Sequence, residues 1–152
     1  MSPKIAALCA ADSEEGSDMA RPILIIEDDP DIAEVLRYNL EAQKFETRVA
    51  ITGKEGLAAS LDKDQPPLLI LLDQLLPEMN GLEICRRIRR EPAGPRIPII
   101  MVTAKASEAD FANAGAAGVD DYVTKPFSVR KVMERISALL RPTENGRSLK
   151  IL

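Results

Sequence analysis

Apolar and polar positions along the chain fall into two alternating kinds of segment. Ile23-Leu24-Ile25-Ile26, Leu68-Leu69-Ile70-Leu71-Leu72 and Ile97-Pro98-Ile99-Ile100-Met101-Val102 are short, uninterrupted apolar runs rich in branched side chains. Such runs predict strands buried on both faces of a parallel sheet. Val119 to Val123 predicts a shorter strand, and the alternation in Thr47 to Ile51 an edge strand. Between them the period becomes helical. Asp31 to Gln43 sets Ile32, Val35, Leu36 and Leu40 on one stripe, with Pro30 suited to the first turn. Lys54 to Leu61 offers Leu57, Ala58 and Leu61, and Leu82 to Arg90 offers Leu82, Cys85 and Ile88 behind Gly81. Val129 to Leu140 offers Val129, Val132, Ile136, Leu139 and Leu140, with Ser128 as N-cap and Pro142 as stop. Ser107 to Ala117 reads as a poor helix, rich in small residues and broken by Gly115.

Five strand–helix alternations predict an α/β fold, (βα)5, with a doubly wound, open, five-stranded parallel sheet. The length of 152 residues suits one domain, here residues 21–141. Residues 1–20 read as a flexible acidic leader that carries −3 of the net −4, and 142–152 as a tail or the start of a linker. A faint signal-peptide pattern at Lys4 to Ala11 is rejected, because its apolar stretch is short and bulky Leu8 precedes Cys9. No apolar run reaches the ~18 residues of a membrane span, and the net charge offers no field for nucleic acid. Cys9 and Cys85 read as free thiols of a reducing, cytoplasmic compartment. The chain has no histidine, which excludes Ser-His-Asp catalysis and histidine metal sites. Arg86, Arg87, Arg89 and Arg90 read as a solvated helix face rather than a nucleic-acid site.

In doubly wound sheets, ligands bind beyond the carboxyl ends of the strands. Glu27-Asp28-Asp29 follow the first run, Asp73 the third strand and Thr103-Ala104 the fourth; Lys125-Pro126-Phe127 follow the fifth. Carboxylates gathered there repel one another by ~4 kcal/mol per pair at ~4 Å and an effective dielectric near 20. Lys125 and a hard divalent cation are the two candidates to hold them together, and oxygen-only ligands favour Mg²⁺. Metal, ammonium and the Thr103 hydroxyl together make a place for a phosphoryl group, with Asp73 a candidate nucleophile. Asp29 is divided between that site and capping the following helix, and the Lys125–Pro126 bond is expected to be cis.

The set Ile23–Asp29, Leu72-Asp73-Gln74-Leu75-Leu76-Pro77 with Gly81, Met101-Val102-Thr103-Ala104, and Asp120-Asp121-Tyr122-Val123-Thr124-Lys125-Pro126-Phe127 resembles the receiver domain of bacterial two-component response regulators. The details are most similar to the OmpR/PhoB-type winged-helix subclass. The resemblance implies the flavodoxin-like receiver fold with strand order 2-1-3-4-5. It implies Asp73 as phosphoacceptor, and Glu27, Asp28, Asp73 and the Leu75 carbonyl as Mg²⁺ ligands. Thr103, the Ala104 N–H and Lys125 would bind the phosphoryl group, and Tyr122 would turn inward with Thr103 as a switch. The implied partner is a sensor histidine kinase.

Dimers of this subclass form through the fourth helix, fifth strand and fifth helix by a charged network. Asp120, Asp121 and Arg135 match part of it, whereas Ala109, Phe111, Lys131 and Gly115 depart from it, and Ala117, where an acid is usual, leaves Arg135 without its expected partner. Ten residues after Pro142 cannot form an output domain, so the reading is either a stand-alone receiver acting through protein contacts or a piece of a longer transcription regulator. An Asp-nucleophile phosphatase is disfavoured by Leu75, where an acid/base Asp would be needed. A flavin or nucleotide module is disfavoured by acidic Glu27-Asp28-Asp29, which would repel phosphate.

Overall fold

The computed structural model describes residues 21–91 and 96–141. The elements are β1 (Ile23–Ile26), α1 (Pro30–Ala42), β2 (Thr47–Ala50), α2 (Gly53–Ser60), β3 (Leu69–Asp73), α3 (Gly81–Arg90), β4 (Ile99–Thr103), α4 (Glu108–Ala117), β5 (Asp121–Thr124) and α5 (Val129–Leu140). All strands are parallel, in the order β2-β1-β3-β4-β5. The expected fold is therefore the observed one, with strand limits shifted by one or two residues.

Alternation along the strands assigns each side chain to one of two cores. Leu24, Ile26, Ile70, Leu72, Ile99 and Met101 face α2, α3 and α4 through Ala59, Ile84, Cys85, Ile88 and Ala117. Ile23, Ile25, Leu69, Leu71, Ile100 and Val102 face α1 and α5 through Ala33, Leu36, Leu40, Val132 and Ile136. Each fully buried Leu or Ile contributes roughly 1.5–3 kcal/mol by leaving water. Helices on both faces explain why these strands are apolar throughout.

Three helical expectations need correction. In α1 the buried row is Ala33, Leu36 and Leu40, and Val35 faces solvent. In α2 the buried side is Gly53, Gly56, Ala59 and Ser60, and Ala58 is exposed; small residues let this helix lie close on the sheet. Residues 108–117 form a regular helix despite the weak pattern. Its ends are built by polar chemistry: a capping box between Ser107 and Asp110, and Gly118 at φ 102° as C-cap. Cys85 is a buried free thiol that donates to the Ala117 carbonyl at 3.2 Å. The leader, the tail, Cys9 and Pro142 lie outside the described residues.

Candidate functional site

Register brings the strand ends to one level. Ile26 is paired with Leu72, Asp73 with Val102, and Thr103 with Thr124. The next positions, Glu27 and Lys125, therefore reach the same crevice as Asp73 and Thr103.

Glu27 and Asp73 are almost fully buried there, whereas Asp28 is exposed at the rim. Carboxylate oxygens of the three can lie within 4.8 Å of one another. The Lys125 ammonium spans two of them, 3.2 Å from Glu27 Oε1 and 3.4 Å from Asp73 Oδ2. The Asp29 N–H donates to Glu27 Oε2 at 3.1 Å, and the Leu75 N–H to Asp73 Oδ1 at 3.2 Å. Burial pushes the Glu27 carboxyl up to about 7; the Asp29 N–H opposes this, the Asp73 charge adds to it, and Lys125 pulls back. Burial pulls the Lys125 ammonium down, but Asp73 and Glu27 outweigh it and its net direction is up. Two buried carboxylates thus share one ammonium, with the exposed Asp28 adding a third negative charge at the rim.

Asp29 serves the helix: its carboxylate accepts from Asp31 and Ile32, and Pro30 occupies the first turn. Thr103 is fully buried, and its Oγ1 accepts the Lys105 N–H at 3.3 Å, which leaves the hydroxyl proton free to donate elsewhere. The Lys125 N–H donates to the Thr103 carbonyl at 2.8 Å, tying the β5 exit to the β4 exit. The Lys125–Pro126 bond is cis, as expected. Ala104 is exposed beside Thr103, and the Leu75 side chain is half exposed at the mouth. Tyr122 packs partly against the core, and its hydroxyl donates to the Lys105 carbonyl.

The loop from Asp73 to α3 is closed on itself. The Gly81 N–H donates to the Gln74 carbonyl at 2.7 Å, and a Cβ on Gly81 would stand 2.5 Å from the Asp73 carbonyl oxygen. Only glycine fits that approach. Buried Gln74 Oε1 has no hydrogen-bond partner among the described residues.

One expectation about charges fails. Arg89 is not on a solvated face. It is mostly buried and donates to Asp120 Oδ2 at 2.8 Å, Ile97 O at 2.8 Å and Gly118 O at 3.0 Å. Arg86, Arg87 and Arg90 do stay at the surface, around Glu83. Asp120, assigned above to an intersubunit network, is used within the chain: it also accepts the Ile99 N–H at 2.8 Å and pairs with Arg96 at 2.8 Å. Arg135 has a partner, Asp121, at 3.6 Å. The pairing of Arg89 with Asp120 was hidden because 31 positions separate them.

A five-stranded receiver sheet with buried carboxylates and a lysine at the strand ends defines a signalling module. The family model described as response regulator receiver domain matches residues 23–137, and the chain belongs to that family. It is 42% identical over 123 residues to the phosphate regulon transcriptional regulatory protein PhoB of Rhizobium meliloti (strain 1021), covering 81% of this chain and 53% of that protein. The chain thus spans about half the length of that relative. A CheY-like receiver domain protein from Methanospirillum hungatei JF-1 superposes with TM-score 0.71 at 33% identity, over 79% of this chain and 93% of that one. DrrB of Thermotoga maritima, an OmpR/PhoB homolog, superposes with TM-score 0.70 at 29% identity, over 79% of this chain and 52% of its own. Receiver domains of response regulators interact with sensor kinases and bind Mg²⁺ at an acidic pocket, and this chain has such a pocket at Glu27, Asp28 and Asp73. Among the described residues no helix is long and apolar enough to cross a membrane.

Proposed function

We propose that the chain is a phosphoryl-accepting switch in which Asp73 receives the group from a phosphohistidine of a sensor histidine kinase. One Asp73 carboxylate oxygen attacks phosphorus, the phosphorus–nitrogen bond breaks, and its electron pair returns to the imidazole of the donor. The observation that carries this reading is the pocket's charge: Glu27, Asp28 and Asp73 gather around the single Lys125 ammonium. Such a pocket favours a cation and then a group with cation-seeking oxygens.

The donor set fits Mg²⁺, since it offers only oxygens and opens to solvent at Asp28. Glu27, Asp28, Asp73 and the Leu75 carbonyl would hold the ion, which when bound supplies positive charge for the phosphoryl oxygens. Lys125 neutralises a further oxygen and keeps the nucleophile in place. The Thr103 hydroxyl and the Ala104 N–H donate to the remaining ones. Tyr122 reads the position of Thr103 through Lys105.

The output is regulation of transcription through a domain outside this chain, in the cytoplasm; the support is the resemblance to PhoB over half its length. Pairing of two copies through α4, β5 and α5 is the companion proposal. It is weakened by Ala109, Phe111 and Ala117 and by the internal use of Asp120. The receiver itself binds neither nucleic acid nor membrane in this reading. A stand-alone receiver working through protein contacts is the alternative. The phosphatase reading loses ground because Leu75, at the mouth, has no acid/base group.

Incubation with acetyl phosphate and Mg²⁺ tests the proposal by intact mass. The parent gains one phosphoryl group, Asp73→Asn gains none, and Asp28→Ala loses both Mg²⁺ affinity and label. Equal labelling of Asp73→Asn, or continuous phosphate release without an adduct, would overturn it.

A further inference from the structure

Phe111, in the first turns of α4, is a large apolar side chain with 45% of its surface exposed. It is not idle. Its ring meets that of Tyr122 edge-to-face, with centroids 4.6 Å apart and planes at 81°. The Tyr122 hydroxyl donates to the Lys105 carbonyl, and the N–H of the same residue donates to Thr103 Oγ1. Four groups are therefore linked in a row from the α4 surface to the floor of the Asp73 crevice. The remaining ends of the row are fixed by the fold: Thr103 by burial in β4, and Tyr122 by pairing with Met101.

The geometry points to Phe111 as a positioning residue for phosphoryl transfer, resting on the reading of Asp73 given above. Its ring holds Tyr122 over the β4–α4 loop, Tyr122 holds the Lys105 peptide, and that peptide orients Thr103 so that its proton stays available to a phosphoryl oxygen. Phe111 touches no reacting atom and acts only through this row. An edge-to-face pair shifts such an equilibrium by roughly two- to tenfold. Because Phe111 is half in solvent, its removal leaves the core intact.

The test uses the whole chain with acetyl phosphate and Mg²⁺. Phe111→Ala and Phe111→Leu should take up label roughly two- to tenfold more slowly, with Mg²⁺ affinity unchanged, while Phe111→Tyr, which keeps the ring, restores the parent rate. The chain has two tyrosines and no tryptophan, so in a Tyr38→Phe background the emission reports on Tyr122 alone. That emission should become more accessible to a neutral quencher in Phe111→Ala than with Phe111 in place. Parent-like labelling by Phe111→Ala, or failure of Phe111→Tyr to restore the rate, would overturn the inference while leaving Asp73 as acceptor. An unlabelled parent would take down the acceptor reading and this inference with it.

Discussion

Two buried charge clusters sit at opposite ends of the same sheet. At the carboxyl ends, Glu27 and Asp73 share one ammonium, with Asp28 close by. At the amino ends of β4 and β5, Asp120 is matched by Arg89 and Arg96 and by the Ile99 N–H, and Arg89 spends its other donors on two carbonyls. The second cluster is saturated and locks α3, β4 and β5 together. In the first, two buried carboxylates share one ammonium, and a proton on Glu27 or a bound cation would offset the surplus negative charge. Counting donors and acceptors thus separates a structural ion pair from a reactive one, although both are buried and both join distant elements.

Breaking the saturated cluster should damage the fold and spare the chemistry. Asp120→Ala strands the Arg89 guanidinium inside the protein, at a cost of about 3 kcal/mol. In thermal unfolding this predicts a Tm lower by roughly 10 °C, while the protein that remains folded still takes a phosphoryl group. Loss of labelling without loss of stability would merge the two clusters into one functional unit.

The reactive cluster predicts the opposite balance through pH. Folded Glu27 keeps its proton to about pH 7, whereas an unperturbed glutamate releases it at 4.5. The folded state therefore binds more protons in that window, and stability falls as pH rises from about 4.5 to about 7, then levels. Glu27→Gln removes this contribution. Without Mg²⁺ the variant should gain on the parent by on the order of 2 kcal/mol across the window, measured by denaturant unfolding at each pH. A constant gap between the two proteins would contradict the upward shift that burial imposes on Glu27.

The smallest effect concerns lifetime. On the proposed mechanism, the residues two beyond Asp73 and two beyond Thr103 would flank the path of the water that hydrolyses the phosphoryl group. Here these are Leu75 and Lys105. Leu75 cannot orient water, and Lys105 adds countercharge, so the phosphorylated chain should persist for many minutes to hours. Leu75→Asn should hasten decay by roughly 10- to 100-fold, or about 1.4–2.7 kcal/mol of barrier, followed by intact mass after removal of the donor.

The strands and the residues at their carboxyl ends were readable because their signals are local, whereas the strand order came from the family resemblance alone. Continuous apolar runs mark strands covered on both faces, and the residue after each run marks the crevice. The saturated cluster was unreadable for the converse reason. Arg89 sits in a run of four arginines that look alike in sequence, and only the path of α3 past the β5 entrance makes one of them internal. Val35 misled because a stripe of branched residues does not say how wide the buried face is; Ala33 filled the place instead. α4 was underestimated because its limits come from Ser107, Asp110 and Gly118 rather than from periodicity. The Phe111–Tyr122 contact depends on how that helix is seated.

The close approach at Gly81 has a mechanical consequence. The backbone of Asp73 is backed by α3 with no room to retreat, so that wall of the crevice behaves as an anvil. The facing wall, the loop of Ala104, Lys105 and Ala106, is exposed to solvent. On the proposal that Asp73 accepts a phosphoryl group, the added bulk meets a fixed wall at Gly81, so its push is expected toward the α4 side.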